Sequence, residues 1–96
     1  MAPAALSSTL AAYVLSLERC LANTHRAEDR SIYENYLADA AGILASAVMG
    51  APIANLNSRV EAHERLWGHA WLQDKVYREA ASAWNAVKKE IARIAT

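Results

Sequence analysis

The sequence predicts an all-α fold, a small antiparallel helical bundle of three to four helices, and three observations support this prediction. Apolar residues make up 54% of the 96-residue chain. Alanine, the strongest helix former and a weak strand former, is the most frequent residue type. Apolar side chains recur every three to four residues, the spacing of one helix face, and no strand-like alternation is present. We therefore expect a single helical-bundle domain over residues 1–96.

Four helical segments follow from the apolar spacing and from the residues that stop a helix. The first is predicted over about residues 8–23, and the second over about residues 28–49, where Gly50 and Pro52 mark a stop. The third is predicted to start near Pro52, because proline suits the first turn of a helix. The fourth is predicted over about residues 73–95.

The boundary between the third and fourth helices is the least defined part of the pattern. Gly68 weakens the helix, so a break between residues 67 and 73 is favoured over one long bent helix across residues 52–95. The apolar stripe resumes beyond this point, with Val76 and Ala80 on the seam of the fourth helix.

Charge and cysteine content argue against several functional classes. Ten basic and ten acidic side chains give a formal net charge of zero, whereas a nucleic-acid binder usually carries a strongly basic face. The single cysteine, Cys20, cannot form an internal disulfide, which fits a reducing compartment. Polar residues, glycine or proline interrupt the uncharged stretches at residues 1–17 and 40–58. We therefore expect no membrane span and a cytoplasmic location.

The sequence contains no arrangement of residues that predicts catalysis or metal binding. His63 and His69 are six residues apart, whereas two zinc-binding histidines on one helix face are four apart. Cys20 occupies a core position of the first helix, where it is expected to act as a small apolar side chain. We therefore expect no metal, no cofactor and no enzymatic activity.

Residues 62–70 resemble the motif of histidine phosphotransfer domains, which are also helical bundles. The pattern of that family is similar to Ala-His-x-Leu-Lys-Gly-Ser-Ala. In this chain Leu66 and Gly68 each fall one residue later, and Trp67 stands where the family has lysine. One extra residue turns a helix by about 100°, so His63 would leave the face that carries the small residues. The resemblance implies an alternative function, a signalling domain that uses His63.

Aromatic residues are candidates for function because tryptophan and tyrosine often dominate the energetics of protein binding. Five ring-bearing residues are predicted to bind a partner protein: Tyr33, Tyr36, His63, Trp67 and Trp71. The last three are four residues apart and would lie along one helix edge, and the two tyrosines form a second pair. The alternative for each ring is ordinary packing in the core.

A row of small residues follows another face of the second helix. It consists of Ala38, Gly42 and Ser46, and it continues to Gly50. Such a row lets another helix backbone approach closely, so we predict helix packing at this face. It also supports a second alternative function, a structural bundle that forms a homodimer across this row.

The order of the helices resembles that of small all-helical immunity proteins of type VI secretion effectors. In that family a tyrosine leads the second helix, a place that Tyr33 or Tyr36 would fill. The third segment carries a pattern like Leu-x-x-Gly-x-x-Ala before an acidic or polar stretch. The similar residues here are Leu66, Gly68, Ala70 and Asp74, with the first two spacings each one residue short. The likeness covers residues 30–80.

This resemblance implies a non-catalytic inhibitor in the cytoplasm, which neutralises a toxin or effector domain through a helical face. Many inhibitors of that kind are acidic, whereas this chain is neutral. Recognition of the partner would therefore rest on apolar and aromatic contacts. A protein-binding module of inhibitor or immunity type is the function that the sequence favours.

Overall fold

The computed structural model describes residues 4–67 and 75–95, including their side chains except those of Trp67, Lys75 and Val76. This part of the chain folds into four α-helices and contains no strand. The helices are α1 (Ala4–Ala22), α2 (Ala27–Val48), α3 (Ile53–Trp67) and α4 (Lys75–Ala95). The predicted small all-α bundle is therefore confirmed.

Helix α1 begins earlier than the sequence analysis predicted. Ala4 and Ala5 are strong helix formers, and Leu6 is completely buried in the core. Both local propensity and packing therefore stabilise a first turn that was predicted to lie before the helix. The observed ends of α2 lie within a residue of the predicted ones.

The helices form a ring in which each contacts the next one in the chain and α4 closes on α1. Helices α2 and α3 are antiparallel, because Tyr36 contacts Leu66 near the end of α3, whereas Ser46 contacts Arg59 nearer its start. Helices α1 and α2 are joined by the short connection between Ala22 and Ala27. The predicted antiparallel arrangement agrees with these contacts.

Helices α3 and α4 lie side by side. Glu64 of α3 is hydrogen-bonded to Trp84 and Lys88 of α4. In one continuous helix the roughly 20 residues between these positions would span about 30 Å. Residues 53–95 therefore do not form one straight helix. The break was predicted between residues 67 and 73, and of this segment only Trp67, the last residue of α3, belongs to the described part of the chain.

Glycine ends α2 and sets the turn into α3. Met49 caps the helix, and Gly50 adopts a φ of 83°, which favours a residue without a side chain. The Gly50 N–H donates to the carbonyl oxygen of Ala47 at 3.1 Å, and the Ala51 N–H donates to that of Ser46 at 3.0 Å. These two hydrogen bonds define a Schellman motif, so the stop predicted at Gly50 is confirmed.

The core lies along the axis enclosed by the four helices. Helix α1 contributes an apolar stripe with the predicted spacings of three and four residues, formed by Leu6, Leu10, Tyr13, Leu17 and Cys20, all of which are buried. The largest completely buried side chains include two tyrosines, Tyr13 and Tyr33, and the imidazole of His63. A titratable ring thus lies at the centre of an otherwise largely apolar core.

Candidate functional site

A cluster of four side chains lies at the centre of the bundle, and each helix contributes one of them. They are Tyr13 of α1, Asp39 of α2, His63 of α3 and Trp84 of α4, here called the His63 cluster. His63 and Tyr13 have no solvent exposure, whereas the side chain of Asp39 is 39% exposed. The cluster therefore connects the middle of the core to the surface of α2.

Both ring nitrogens of His63 are hydrogen-bonded. Nδ1 lies 2.7 Å from Oδ2 of Asp39, and Nε2 lies 2.5 Å from the hydroxyl oxygen of Tyr13. A carboxylate can only accept a hydrogen bond, so Nδ1 carries a proton and donates it to Asp39. In the neutral ring Nε2 is then the acceptor, and the Tyr13 hydroxyl donates to it. These contacts assign the tautomer with its hydrogen on Nδ1.

Three aromatic rings surround the imidazole of His63. The ring centroid of Trp84 is 4.5 Å away, and that of Tyr36 is 5.8 Å away. The Tyr13 ring is 5.4 Å away and nearly perpendicular, at 88°. Offset and edge-to-face contacts of this kind are favourable in addition to the area that they bury. The rings also exclude water from the imidazole.

Burial lowers the pKa of His63 below its ordinary value, because the charged imidazolium would lose its hydration in the core. The hydrogen bond to Asp39 and the negative charges of Asp39 and Glu64 act in the opposite direction, but burial outweighs them. Asp39 is also shared with Arg59, whose Nη2 lies 3.8 Å from Oδ1. His63 is therefore neutral at pH 7.

Arg59 of α3 lies across the row of small residues on α2. Its Nη1 donates to the carbonyl oxygen of Gly42 at 3.0 Å and to Oγ of Ser46 at 2.9 Å. A Cβ atom on Gly42 would lie 2.8 Å from Nη2 of Arg59. Gly42 and Ser46 therefore pack against a helix of the same chain, through a guanidinium group. Ala38, the first residue of the row, is exposed.

Glu64 joins α3 to α4 next to the His63 cluster. Its carboxylate accepts a hydrogen bond from the indole N–H of Trp84 and another from Nζ of Lys88, at 3.0 Å. Burial acts to raise the pKa of Glu64, but the two hydrogen bonds and the charge of Lys88 outweigh it and hold the pKa below its ordinary value. The carboxylate is therefore charged at pH 7.

The folded chain buries three of the residues predicted to bind a partner. Tyr33 and His63 have no exposure, and Tyr36 has 3%. These three rings do not form an exposed docking face, because each lies on the side of its helix that faces the other helices. Their positions match the alternative of core packing. Trp71 and the side chain of Trp67 lie outside the described part of the chain.

The order of carboxylate, imidazole and hydroxyl in Asp39, His63 and Tyr13 is one that general-base catalysis can use. Here, however, Tyr13 occupies Nε2 of His63, and both side chains are closed to solvent. A substrate or a phosphoryl donor cannot reach the imidazole in this conformation. The contacts of the His63 cluster therefore act on the packing of the four helices.

A groove of about 480 Å³ lies between α1 and α4 on the outside of the bundle. Its walls are formed by Ala12, Leu15, Ser16 and Arg19 of α1 and by Glu79, Ser82, Ala83 and Ala86 of α4. The Leu15 side chain is 55% exposed. This surface was not predicted, because Leu15 lies outside the apolar stripe of α1. The signal that could have indicated it is the absence of charge from residues 1–17.

Within the described residues, no group of three or more His, Cys, Asp or Glu side chains is arranged to hold a metal ion. Among the described helices, none combines the length and apolar character needed to cross a membrane. The chain matches no protein-family model, no curated protein and no solved structure.

Proposed function

We propose that the chain is a non-catalytic protein-binding module of inhibitor or immunity type, which neutralises a partner protein. The observation that carries this proposal is the α1–α4 groove, with the exposed Leu15 on its wall. Among the described residues, the other large apolar side chains that are strongly exposed are Val48 and Met49, at the end of α2. In this proposal the exposed Leu15 side chain and the mostly apolar walls of the groove supply the apolar surface that a partner would bury.

The occupant that fits this groove is a short helix of the partner protein. Small side chains form much of both walls, with Ala12 and Ser16 on α1 and Ala83 and Ala86 on α4. Small residues allow the backbone of another helix to approach closely. The groove follows α1 for about two helical turns, so it suits the apolar face of a short segment.

The charge distribution supports recognition by apolar contact. The first charged residue of the sequence is Glu18, so the outer face of α1 is uncharged before that point. Arg19 and Glu79 stand at one end of the groove, 3.9 Å apart and both exposed. An exposed pair of this kind contributes little to the stability of the fold. Both charges can therefore contact polar groups at the rim of a bound helix.

The two alternative functions require changes to this structure. A phosphotransfer domain would need His63 at the surface, but its side chain has no exposure. A homodimer formed across Ala38, Gly42 and Ser46 would displace Arg59, which is hydrogen-bonded to the last two. Binding at the α1–α4 groove needs neither change, so it is the function that the geometry supports best.

Two matched variants, Leu15→Glu and Val48→Glu, test the proposal. Each places a carboxylate at an exposed apolar position, but only Leu15 lines the groove. The immobilised wild-type chain captures proteins from the native host, and the captured partner is purified and titrated against all three chains by calorimetry. We expect similar affinities for the wild type and Val48→Glu, and affinity lower by roughly tenfold or more for Leu15→Glu. The activity of the partner should be lost in the complex.

Circular dichroism of each variant confirms that the helices are intact. Equal affinity of the three chains for the partner would show that the groove is not the docking surface. A partner that keeps its full activity in the complex would contradict the inhibitor function. The absence of any partner with a measurable affinity for the wild type would contradict the binding module itself.

A further inference from the structure

His63 connects two helices that are not neighbours in the ring. Helix α1 contacts α2 and α4, and helix α3 contacts the same two helices. The hydrogen bond between Tyr13 and His63 crosses the bundle from α1 to α3, and the bond from His63 to Asp39 continues to α2. One titratable ring thus holds three helices through two hydrogen bonds, and it packs against Trp84 of the fourth.

The titratable and charged groups around His63 come from all four helices. They are Tyr13 of α1, Tyr36 and Asp39 of α2, Arg59 and Glu64 of α3, and Lys88 of α4. Asp39 and Glu64 carry the negative charges of this set, and each already lies beside a cation. Each carboxylate of this set that could stabilise a proton on His63 is therefore already shared with a cation.

Protonation of His63 also reverses one hydrogen bond. In the neutral ring the Tyr13 hydroxyl donates to Nε2, but a protonated Nε2 is itself a donor. The hydroxyl then has to accept, and its own proton must turn away from the ring. Protonation therefore breaks the present Tyr13–His63 hydrogen bond and places a positive charge on a side chain that has no solvent exposure. The folded arrangement is thus built for the neutral imidazole.

We infer that the His63 cluster is an acid-sensitive lock, which holds α1, α2 and α3 together while His63 is neutral and loosens the bundle when His63 is protonated. The inference stands apart from the proposed function, because it concerns the stability of the chain without a partner.

The direction of the pH effect follows from proton linkage. Burial lowers the pKa of His63 in the folded chain, so the unfolded chain binds a proton more readily. The stability that the neutral ring provides is fully present above the ordinary pKa of about 6.5. It decreases as the pH falls below that value. At pH values between the lowered pKa of His63 in the folded chain and its ordinary pKa in the unfolded chain, the ratio of folded to unfolded chain falls about tenfold for each unit by which the pH decreases.

Urea unfolding of the full chain between about pH 8 and about pH 5 tests this inference. The variants are His63→Gln, which cannot take up a proton, and the control His25→Gln at an exposed position between α1 and α2. His69 is present in every chain, so its contribution cancels. We expect the urea midpoint of the wild type and of His25→Gln to fall with pH along the same curve. The curve of His63→Gln should be flatter below about pH 6.5.

Nuclear magnetic resonance on the wild type provides a second measurement, which also decides the matter if His63→Gln does not fold. Long-range proton–nitrogen spectra report the tautomer and the pKa of each histidine ring. We expect His63 to show the neutral form with hydrogen on Nδ1 and to keep it below its ordinary pKa for as long as the chain is folded. Uptake of a proton at or above the ordinary pKa in a folded chain would overturn the inference. Identical pH curves for the wild type and His63→Gln would do so as well.

Discussion

Removal of the Tyr13 hydroxyl tests the structural role of the His63 cluster most directly. In Tyr13→Phe the ring can remain against Trp84, with 4.9 Å between the ring centroids, but Nε2 of His63 loses its hydrogen-bond donor. His63 is completely buried, so no water can replace the hydroxyl without a change in packing. A buried acceptor without a partner costs about 1–3 kcal/mol. We therefore expect the free energy of unfolding to fall by about 2 kcal/mol.

Thermal and urea unfolding at pH 7, followed by circular dichroism, measure this loss. For a domain of this size, about 2 kcal/mol corresponds to a decrease in Tm of roughly 8–16 °C. Ser58→Ala is the control, because it removes a hydroxyl from an exposed position of α3. It should change the free energy of unfolding by less than about 0.5 kcal/mol. Equal stability of the two variants would refute the argument that the Tyr13–His63 hydrogen bond supports the core.

Three further predictions concern side chains around the His63 cluster. Gly42→Ala should change the free energy of unfolding by less than about 1 kcal/mol in thermal unfolding. The gain in helix propensity offsets the cost of a small shift of the flexible end of Arg59. A larger loss of stability would mean that Arg59 cannot move. Lys88→Gln should cost less than about 1 kcal/mol in the same assay, because the side chains of Lys88 and Glu64 are 37% and 43% exposed. Burial raises the pKa of Tyr36 to about 12. Its contribution to stability should therefore be present below the ordinary pKa of about 10 and be lost as the pH rises towards 12. Comparison of wild type and Tyr36→Phe by phenolate absorbance and circular dichroism tests this, and equal alkaline unfolding of the two would contradict it.

The helices could be predicted from the sequence because their signals are local. Apolar residues at spacings of three and four mark the buried face of α1, and Gly50 ends α2 through a turn that needs a positive φ. The start of α1 was missed because Ala4 and Ala5 carry no periodic signal. This first turn forms because Ala4 and Ala5 have high helix propensity and because Leu6 packs in the core.

The His63 cluster could not be predicted, because it depends on the alignment of four separate helices. The sequence analysis placed His63 on a helix edge, but nothing in the spacing indicates that Asp39 and Tyr13 would lie opposite its two nitrogens. A shift of any helix by one residue turns its side chains by about 100° and would remove the contact. Leu15 was overlooked for a related reason, since exposure depends on which side of α1 the other helices leave open.

Because the contacts of the His63 cluster depend on the alignment of the four helices, this polar cluster can specify that alignment in the core. Alanine presents a small, nearly uniform surface, so alanine-rich helices can slide or rotate against one another at little cost in apolar contact. A buried polar group is favourable only when its partners are correctly placed, and costly when they are not. The His63 cluster takes one side chain from each helix, so a shift of any one helix breaks a hydrogen bond or a ring contact at its centre. The cluster therefore selects one alignment of the bundle, and the walls of the α1–α4 groove depend on that alignment. The imidazole that fixes the alignment is also the side chain whose protonation would oppose it, because burial lowers the pKa of His63. Specificity of packing and the inferred sensitivity to acid would then have the same origin.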